Sequence, residues 1–222
     1  MIDLVIFDCD GVLIDSEIIS ARMLVEALAQ LGVPIDLAYV GRHFLGRSYP
    51  VVMAQIRREF GLDLPDDFED LYRARLMQAF DRELKIMPHV TDVLARLARP
   101  FCVATSSSPK RVEYSLRLVG LAHLLGPRLF TATMVARGKP APDLFLHAAQ
   151  AMGADPAGCL VIEDSLMGVK AARAAGMPVW RFTGGSHLRD ADPDEPADSR
   201  ADLRFASFAD FFALDPSLER PV

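Results

Sequence analysis

Two acidic side chains follow the first apolar segment of the chain. Asp8 and Asp10 come directly after the apolar run at residues 4–7, and Gly11 follows them. Side chains two residues apart on an extended segment point to the same side, so both carboxylates can face one crevice. Carboxylates that close repel each other unless a cation lies between them, and their hard oxygens suit Mg²⁺. The pattern favours a divalent metal site, although an acidic turn of ordinary Asp and Gly residues explains this fragment alone about equally well.

A cluster of hydroxyl side chains begins at Thr105, after the apolar run at residues 101–104. Within it, Ser108 can cap a helix and Pro109 can occupy the first helical position. A helix N-terminus that follows a strand presents free N–H groups to an anion, so Thr105 and Ser106 are candidates for binding phosphate. Helix capping without any ligand also explains these serines.

A single lysine, Lys139, lies in a segment stiffened by Pro140 and Pro142. A lysine held in a stiff frame can neutralise charge between a phosphate and a carboxylate, whereas most loop lysines are simply solvated. We therefore treat Lys139 as a candidate whose role depends on what lies beside it.

A second acidic pair, Glu163 and Asp164, follows the apolar run at residues 160–162. The pair can supply metal ligands, or it can merely favour the N-terminus of the helix that follows through the helix dipole. Because these four features occur together in one chain, and three of them each follow a predicted strand, independent structural explanations for all four become improbable.

The elements that must position these side chains alternate between short apolar runs and helical patterns. This alternation predicts an α/β fold, in which a Rossmann-like, doubly wound parallel sheet is covered by helices. The predicted strands are residues 4–7, 101–104, 160–162, 179–182 and 203–205. Residues 186–202 are expected to form a surface loop, and four phenylalanines are expected to anchor a final helix. These are Phe205, Phe208, Phe211 and Phe212.

Between the first strand and the second, the pattern changes to helical spacing without a convincing strand. We predict an inserted all-α cap domain at residues 16–87 and a core domain made of residues 1–15 and 88–222. Glycines and prolines divide the insertion into about four helices. Both crossings between the two domains are candidate hinges.

Composition limits the possible partners. The 222 residues are 51% hydrophobic and 24% charged, which is typical of a globular protein, and no apolar run is long enough to span a bilayer. The formal net charge of −6 argues against binding to nucleic acid or to an anionic membrane surface. Three cysteines without metal-type spacing fit reduced thiols and indicate the cytoplasm.

Taken together, the candidate residues resemble the sequence motifs of the haloacid dehalogenase superfamily. The motifs are, in order, Asp8-x-Asp10-Gly11, Thr105, Lys139 and Glu163-Asp164. The helical insertion is similar to the small cap of the branch that contains β-phosphoglucomutase and 6-phosphogluconate phosphatase. The resemblance implies a Mg²⁺-dependent hydrolase that acts on a small phosphorylated metabolite, as a monomer or weak homo-oligomer.

The resemblance also implies catalytic roles. Asp8 is the nucleophile and a metal ligand, and Asp10 is the general acid and base whose backbone carbonyl binds Mg²⁺. Thr105, Ser106 and Lys139 bind the phosphate.

The remaining implied roles concern the metal and the cap. Asp164 is a direct metal ligand, and Glu163 is a ligand or an acceptor for metal-bound water. Arg47 and Ser48 lie in a cap loop expected to contact substrate. Weaker candidates for substrate contact are Arg73 and Arg75.

Three alternatives stay open. The first is a degenerate, non-catalytic binding protein on the same fold, although every motif position holds a competent residue. A β-phosphoglucomutase-like activity would need tight closure and additional polar contacts, so that the phosphoryl group returns to the sugar before water reaches phosphorylated Asp8. The mutase resembled here has a histidine in the first cap helix where this chain has Ser20. We therefore expect a phosphatase. A phosphorylated receiver domain combines similar residues at strand ends, but in a different order and without a helical insertion.

Overall fold

The centre of the protein is a parallel β-sheet, seen in a computed structural model that describes residues 1–124, 126–189 and 195–221. Its strands are β1 (Leu4–Phe7), β2 (Phe101–Thr105), β3 (Leu129–Thr131), β4 (Cys159–Glu163), β5 (Val179–Phe182) and β6 (Leu203–Phe205). They lie in the order β3-β2-β1-β4-β5-β6, and all neighbours are parallel. The predicted α/β, Rossmann-like fold is confirmed.

The helices were expected between the strands and within the insertion. They are α1 (Glu17–Ala29), α2 (Leu37–His43), α3 (Tyr49–Phe60), α4 (Phe68–Glu83), α5 (Val90–Arg96), α6 (Pro109–Leu118), α7 (Asp143–Ala151), α8 (Leu166–Ala174) and α9 (Phe211–Leu214). Among the described residues, no helix is long and apolar enough to cross a membrane.

Helices cover both faces of the sheet, which explains why its central strands are continuous apolar runs. Helices α5, α6 and α9 pack on one face, and α7 and α8 pack on the other. Every residue of β1 is buried. In the register of the sheet, Phe7 pairs with Val103 of β2 and with Ile162 of β4. The residues that follow these three strands therefore reach the same edge of the sheet.

Helices α1 to α4 form the inserted unit and bury an apolar cluster of their own. The two segments that connect it to the sheet lie side by side. The Asp15 amide donates to the Lys85 carbonyl at 2.9 Å, and the Met87 amide donates to the Leu13 carbonyl at 2.9 Å. The four described helices match the number that the sequence predicted.

Two details differ from the sequence-based expectations. Strand β3 was not predicted, because its three residues are defined by their pairing with β2 and by no local pattern. Phe205 ends strand β6 as expected, and it packs on the final helix against Phe211. The predicted surface loop is partly wrong, because Leu188 and Ser199 are buried and the segment contains two short 3₁₀ turns. Residues 190–194 of that loop lie outside the described residues.

Candidate active site

A cavity of about 440 Å³ opens at the carboxyl edge of the sheet, between the sheet and helices α3 and α4. Ligands in open α/β sheets bind at this edge. The nine principal candidates from the sequence all line the cavity. They are Asp8, Asp10, Arg47, Ser48, Thr105, Ser106, Lys139, Glu163 and Asp164.

Lys139 lies at the centre of the buried charges. Its Nζ donates to Asp8 Oδ1 at 2.5 Å, to Glu163 Oε1 at 2.7 Å and to the Ala104 carbonyl at 3.1 Å. Burial alone lowers the pKa of Lys139, but attraction to Asp8 and then to Glu163 outweighs it and raises the pKa. The ammonium group is therefore a fixed positive charge beside the predicted nucleophile.

Three buried carboxylates, Asp8, Glu163 and Asp164, offer oxygens that lie within 4.8 Å of one another. Burial raises the pKa of Asp8 despite the charge of Lys139, and burial together with Glu163 raises the pKa of Asp164. Asp164 Oδ2 is buried without a hydrogen-bond partner among the described residues. One lysine cannot balance three carboxylates, so the set of oxygen donors fits a divalent cation.

Glu163 is held in place by the start of helix α8. Its Oε2 accepts from the Ser165 amide at 2.8 Å and from Ser165 Oγ at 2.9 Å. The Gly168 amide in turn donates to Ser165 Oγ at 3.0 Å, as expected for a helix cap. A Cβ at Gly168 would lie 1.7 Å from Glu163 Oε1, so only glycine leaves room for this carboxylate.

Asp10 accepts hydrogen bonds at both carboxylate oxygens. Oδ1 accepts from Ser16 Oγ at 2.6 Å and from Arg111 Nη2 at 2.8 Å. Oδ2 accepts from Ser107 Oγ at 2.6 Å and, at 3.4 Å, from Thr105 Oγ1. Burial raises the pKa of Asp10, but the charge of Arg111 and these hydrogen bonds together lower it.

Sequence reasoning missed three of these partners: Ser16, Ser107 and Arg111. One signal was available for Arg111. It lies in the first turn of helix α6, where a positive side chain opposes the helix dipole. A cation at that place suggests a nearby carboxylate partner.

A turn after strand β5 also contacts the site, which the sequence did not indicate. His187 Nε2 lies 2.9 Å from Asp164 Oδ2, but the orientation does not form a hydrogen bond. Burial lowers the pKa of His187 and thereby favours the neutral ring. The adjacent Ser186 donates its amide, at 3.1 Å, and its hydroxyl, at 2.8 Å, to Asp15 Oδ1. This turn therefore touches both an acidic residue of the site and the connection to the helical insertion.

The insertion contributes a loop that packs tightly on the sheet domain. The Gly46 carbonyl accepts from Ser106 Oγ at 3.1 Å. Gly46 has a φ of 74°, and a Cβ there would lie 2.3 Å from Ser165 Oγ. Glycine is thus needed both for the backbone conformation and for the close approach. Beside it, Arg47 donates to Gln55 at 3.3 Å.

The two weaker arginine candidates differ in their position relative to the cavity. Arg73 lines the cavity, donates to Ser108 Oγ at 3.2 Å and pairs with Glu69. Arg75 does not line it and instead donates to Gln30 Oε1 at 3.0 Å.

This arrangement of a parallel sheet, an inserted helical unit and a lysine among carboxylates defines a class of hydrolase. Residues 2–176 match the family model of the haloacid dehalogenase-like hydrolases. The chain belongs to that family.

Individual relatives agree with this assignment. The 6-phosphogluconate phosphatase of Escherichia coli strain K12 is 31% identical over 187 residues, which cover 84% of this chain and 85% of that enzyme. A haloacid dehalogenase-like protein of unknown function from Agrobacterium tumefaciens strain C58 has a solved structure that is 36% identical, with a TM-score of 0.82. The match covers 98% of this chain and 99% of that one.

A third relative, a haloacid dehalogenase family hydrolase from Deinococcus radiodurans R1, was solved with bound phosphate and sodium. It is 33% identical with a TM-score of 0.74, and the match covers 100% of this chain and 99% of that one. The protein is an enzyme of the phosphatase type within this superfamily.

Proposed function

We propose that this enzyme is a Mg²⁺-dependent phosphatase that hydrolyses a small sugar phosphate or sugar-acid phosphate through an aspartyl-phosphate on Asp8. The observation that carries the proposal is the buried contact of Lys139 with Asp8 and Glu163 beside the cavity. Support comes also from the relatives, one of which is named a 6-phosphogluconate phosphatase and another of which was solved with phosphate.

The metal would be held by Asp8, Asp164 and the Asp10 backbone carbonyl, with Glu163 as a ligand or as an acceptor for metal-bound water. When bound, Mg²⁺ supplies positive charge to the phosphate oxygens and reduces their repulsion from the carboxylates. The oxygen donors of this acidic group support Mg²⁺ over softer metals.

In the first half of the reaction, an Asp8 carboxylate oxygen attacks phosphorus and forms an acyl phosphate. The bond from phosphorus to the ester oxygen of the substrate breaks, and Asp10 gives its proton to the departing alkoxide. Lys139 stabilises charge on the transferred group, and Thr105 and the Ser106 amide bind its oxygens.

In the second half, water attacks the phosphorus of the acyl phosphate. Asp10, now ionised, accepts a proton from that water, the bond between phosphorus and the Asp8 oxygen breaks, and inorganic phosphate leaves. Asp8 is regenerated as a carboxylate and Asp10 as an acid, so the cycle is balanced.

The cap is proposed to provide specificity. Residues 16–87 would form the cap domain and residues 1–15 and 88–222 the core domain, with Arg47 and Ser48 contacting the part of the substrate that does not react. A cavity of about 440 Å³ lies within the volume range of small-molecule sites. Closure of a cap excludes bulk water and completes the site.

Water is the proposed acceptor, in preference to a sugar hydroxyl. Ser20, at the position where the resembled mutase has a histidine, accepts a hydrogen bond from Arg111 and donates to the Ser16 carbonyl. Serine has no imidazole ring, so this chain lacks the histidine contact that the resembled mutase has at this position. We further propose a cytoplasmic location, supported by three buried free cysteines, and a monomer or weak homo-oligomer.

The test is phosphate release from a panel of sugar and sugar-acid phosphates in buffer with Mg²⁺. We expect hydrolysis of at least one member, and little phosphate from β-glucose 1-phosphate supplied with a trace of β-glucose 1,6-bisphosphate. Rapid formation of glucose 6-phosphate without matching phosphate release would assign the enzyme as a mutase instead.

A further inference from the structure

We propose that Arg111 is a positioning residue that fixes the carboxylate of Asp10 for acid and base catalysis and connects it to the helical insertion. The inference rests on the proposed function, in which Asp10 transfers protons. It adds a part of the machinery that lies outside the motifs recognised in the sequence.

The arrangement of donors distinguishes the two oxygens of Asp10. A carboxylate oxygen has two lone pairs. Those of Oδ1 are both occupied by short hydrogen bonds, from Ser16 at 2.6 Å and from Arg111 at 2.8 Å. Oδ2 has one short bond, from Ser107 at 2.6 Å, and one long contact of 3.4 Å from Thr105. Oδ2 is therefore the less tightly held oxygen and the one left for proton transfer, whereas Arg111 and Ser16 fix Oδ1 in place.

Arg111 is itself held by the insertion. The nitrogen that contacts Asp10, Nη2, also donates to Ser20 Oγ on helix α1 at 3.0 Å. The guanidinium group lies over the ring of Phe80 on helix α4, with 5.5 Å between Cζ and the ring centroid. Because Arg111 belongs to helix α6 of the sheet domain, one side chain joins Asp10 to two helices of the insertion.

This connection has a mechanistic consequence. Asp10 must serve two positions in turn, first the departing oxygen of the substrate and then the attacking water. A carboxylate fixed at one oxygen keeps the other at a constant place for both steps. The position of the general acid and base thus depends on contacts made by the insertion, although the insertion does not itself contain Asp10.

The experiment measures the two half-reactions separately with p-nitrophenyl phosphate, whose leaving group departs without needing a proton. In Arg111→Met, the first turnover should keep nearly its wild-type rate, because the transfer to Asp8 does not need Asp10. Water attack should slow, so the variant should release a burst of about one p-nitrophenolate per active site before a slow steady state. We expect kcat to fall by about 10- to 100-fold, which is less than the fall expected when a general acid and base is removed completely. KM should change little.

Three further variants interpret the result. Arg111→Lys, which keeps the charge but loses the planar fork, should restore part of kcat. Ser20→Ala removes a contact of Arg111 without touching Asp10, and should give the same burst with a loss of kcat of about three- to tenfold. Arg117→Met, on the exposed face of the same helix, is the matched control and should behave as wild type. Circular dichroism checks that each variant folds, and Ser20→Ala keeps the test decisive if Arg111→Met does not fold.

Asp10→Asn, measured in parallel, separates failure of this inference from failure of the proposed function. If Asp10→Asn shows the burst and neither Arg111→Met nor Ser20→Ala does, the role of Arg111 is wrong and the mechanism stands. If Asp10→Asn turns over as wild type, the acid and base role itself is wrong. A raised KM with unchanged kcat in Arg111→Met would make Arg111 a substrate contact, which also overturns the inference.

Discussion

Replacing Gly168 by alanine tests how tightly Glu163 is held, because the added methyl group needs the space of that carboxylate. The new Cβ would lie 1.7 Å from Oε1 and 1.9 Å from Cδ of Glu163. The flexible end of Glu163 can move away, but this movement breaks its ion pair with Lys139 at 2.7 Å and its hydrogen bonds with Ser165 at 2.8 and 2.9 Å. The substitution therefore acts on the site through one displaced side chain.

The expected loss of stability is dominated by the ion pair between Glu163 and Lys139. Breaking a buried ion pair costs about 3 to 5 kcal/mol, and the greater helix propensity of alanine offsets about 1 kcal/mol of this. We expect the free energy of unfolding to fall by about 2 to 4 kcal/mol, which lowers Tm by about 4 to 16 °C for a chain of this length. Because Glu163 belongs to the proposed metal site, Mg²⁺ affinity should also fall by about 10- to 100-fold.

The assays are urea unfolding monitored by circular dichroism and Mg²⁺ titration by calorimetry. The matched control is Gly41→Ala in helix α2, where a Cβ would meet no atom within 4 Å. It should raise stability by about 0.5 to 1 kcal/mol and leave Mg²⁺ binding unchanged. If Gly168→Ala is as stable as Gly41→Ala and binds Mg²⁺ as wild type does, the proposed packing of Glu163 at the metal site is wrong.

Three other predictions use different perturbations. Lys139→Met should lower the free energy of unfolding by about 3 to 5 kcal/mol in urea, because Asp8 and Glu163 stay buried without a cation, whereas Lys170→Met at an exposed ion pair should change it little. Burial raises the pKa of Glu17 to about 7, above its ordinary 4.5, so folding favours the protonated form and wild-type stability should fall relative to Glu17→Gln as pH rises from about 5 to about 8. Urea titrations in EDTA at several pH values measure this difference, and parallel curves would contradict it. EDTA should abolish phosphate release, and Mg²⁺ should restore it. Ca²⁺ should inhibit, because its higher coordination number disturbs the attack geometry. Full activity in metal-free buffer would exclude the proposed metal site.

Features set by local patterns were predictable from the sequence. Strands β1, β2 and β4 are apolar runs that end at polar residues. The sheet and the edge that carries the candidate site could therefore be located from the sequence alone. Strand β3 has three residues, and its place beside β2 depends on pairing with a neighbour, which no local pattern encodes. Phe205, by contrast, ends the predicted strand β6 and packs on Phe211 of the final helix, as the sequence indicated.

Contacts that depend on the folded chain could not be read from the sequence. Arg111 meets Asp10 across 101 positions of the chain, and Ser186 meets Asp15 across 171. Ser186 looks like an ordinary loop serine, and the unfavourable place of Arg111 in the first turn of a helix does not identify its partner. Motif spacing located the residues that are proposed to react. The residues that hold them in place could be identified only from the folded structure.

The most direct test of the mechanism is to trap the phosphorylated enzyme. Asp10→Asn protein with Mg²⁺ is mixed with p-nitrophenyl phosphate, quenched in acid within the first turnover, digested and examined by mass spectrometry. We predict one phosphoryl group on Asp8, sensitive to hydroxylamine and absent when EDTA replaces Mg²⁺. Phosphate released in the first turnover without any covalent species, or a phosphoryl group on another residue, would contradict Asp8 as the nucleophile.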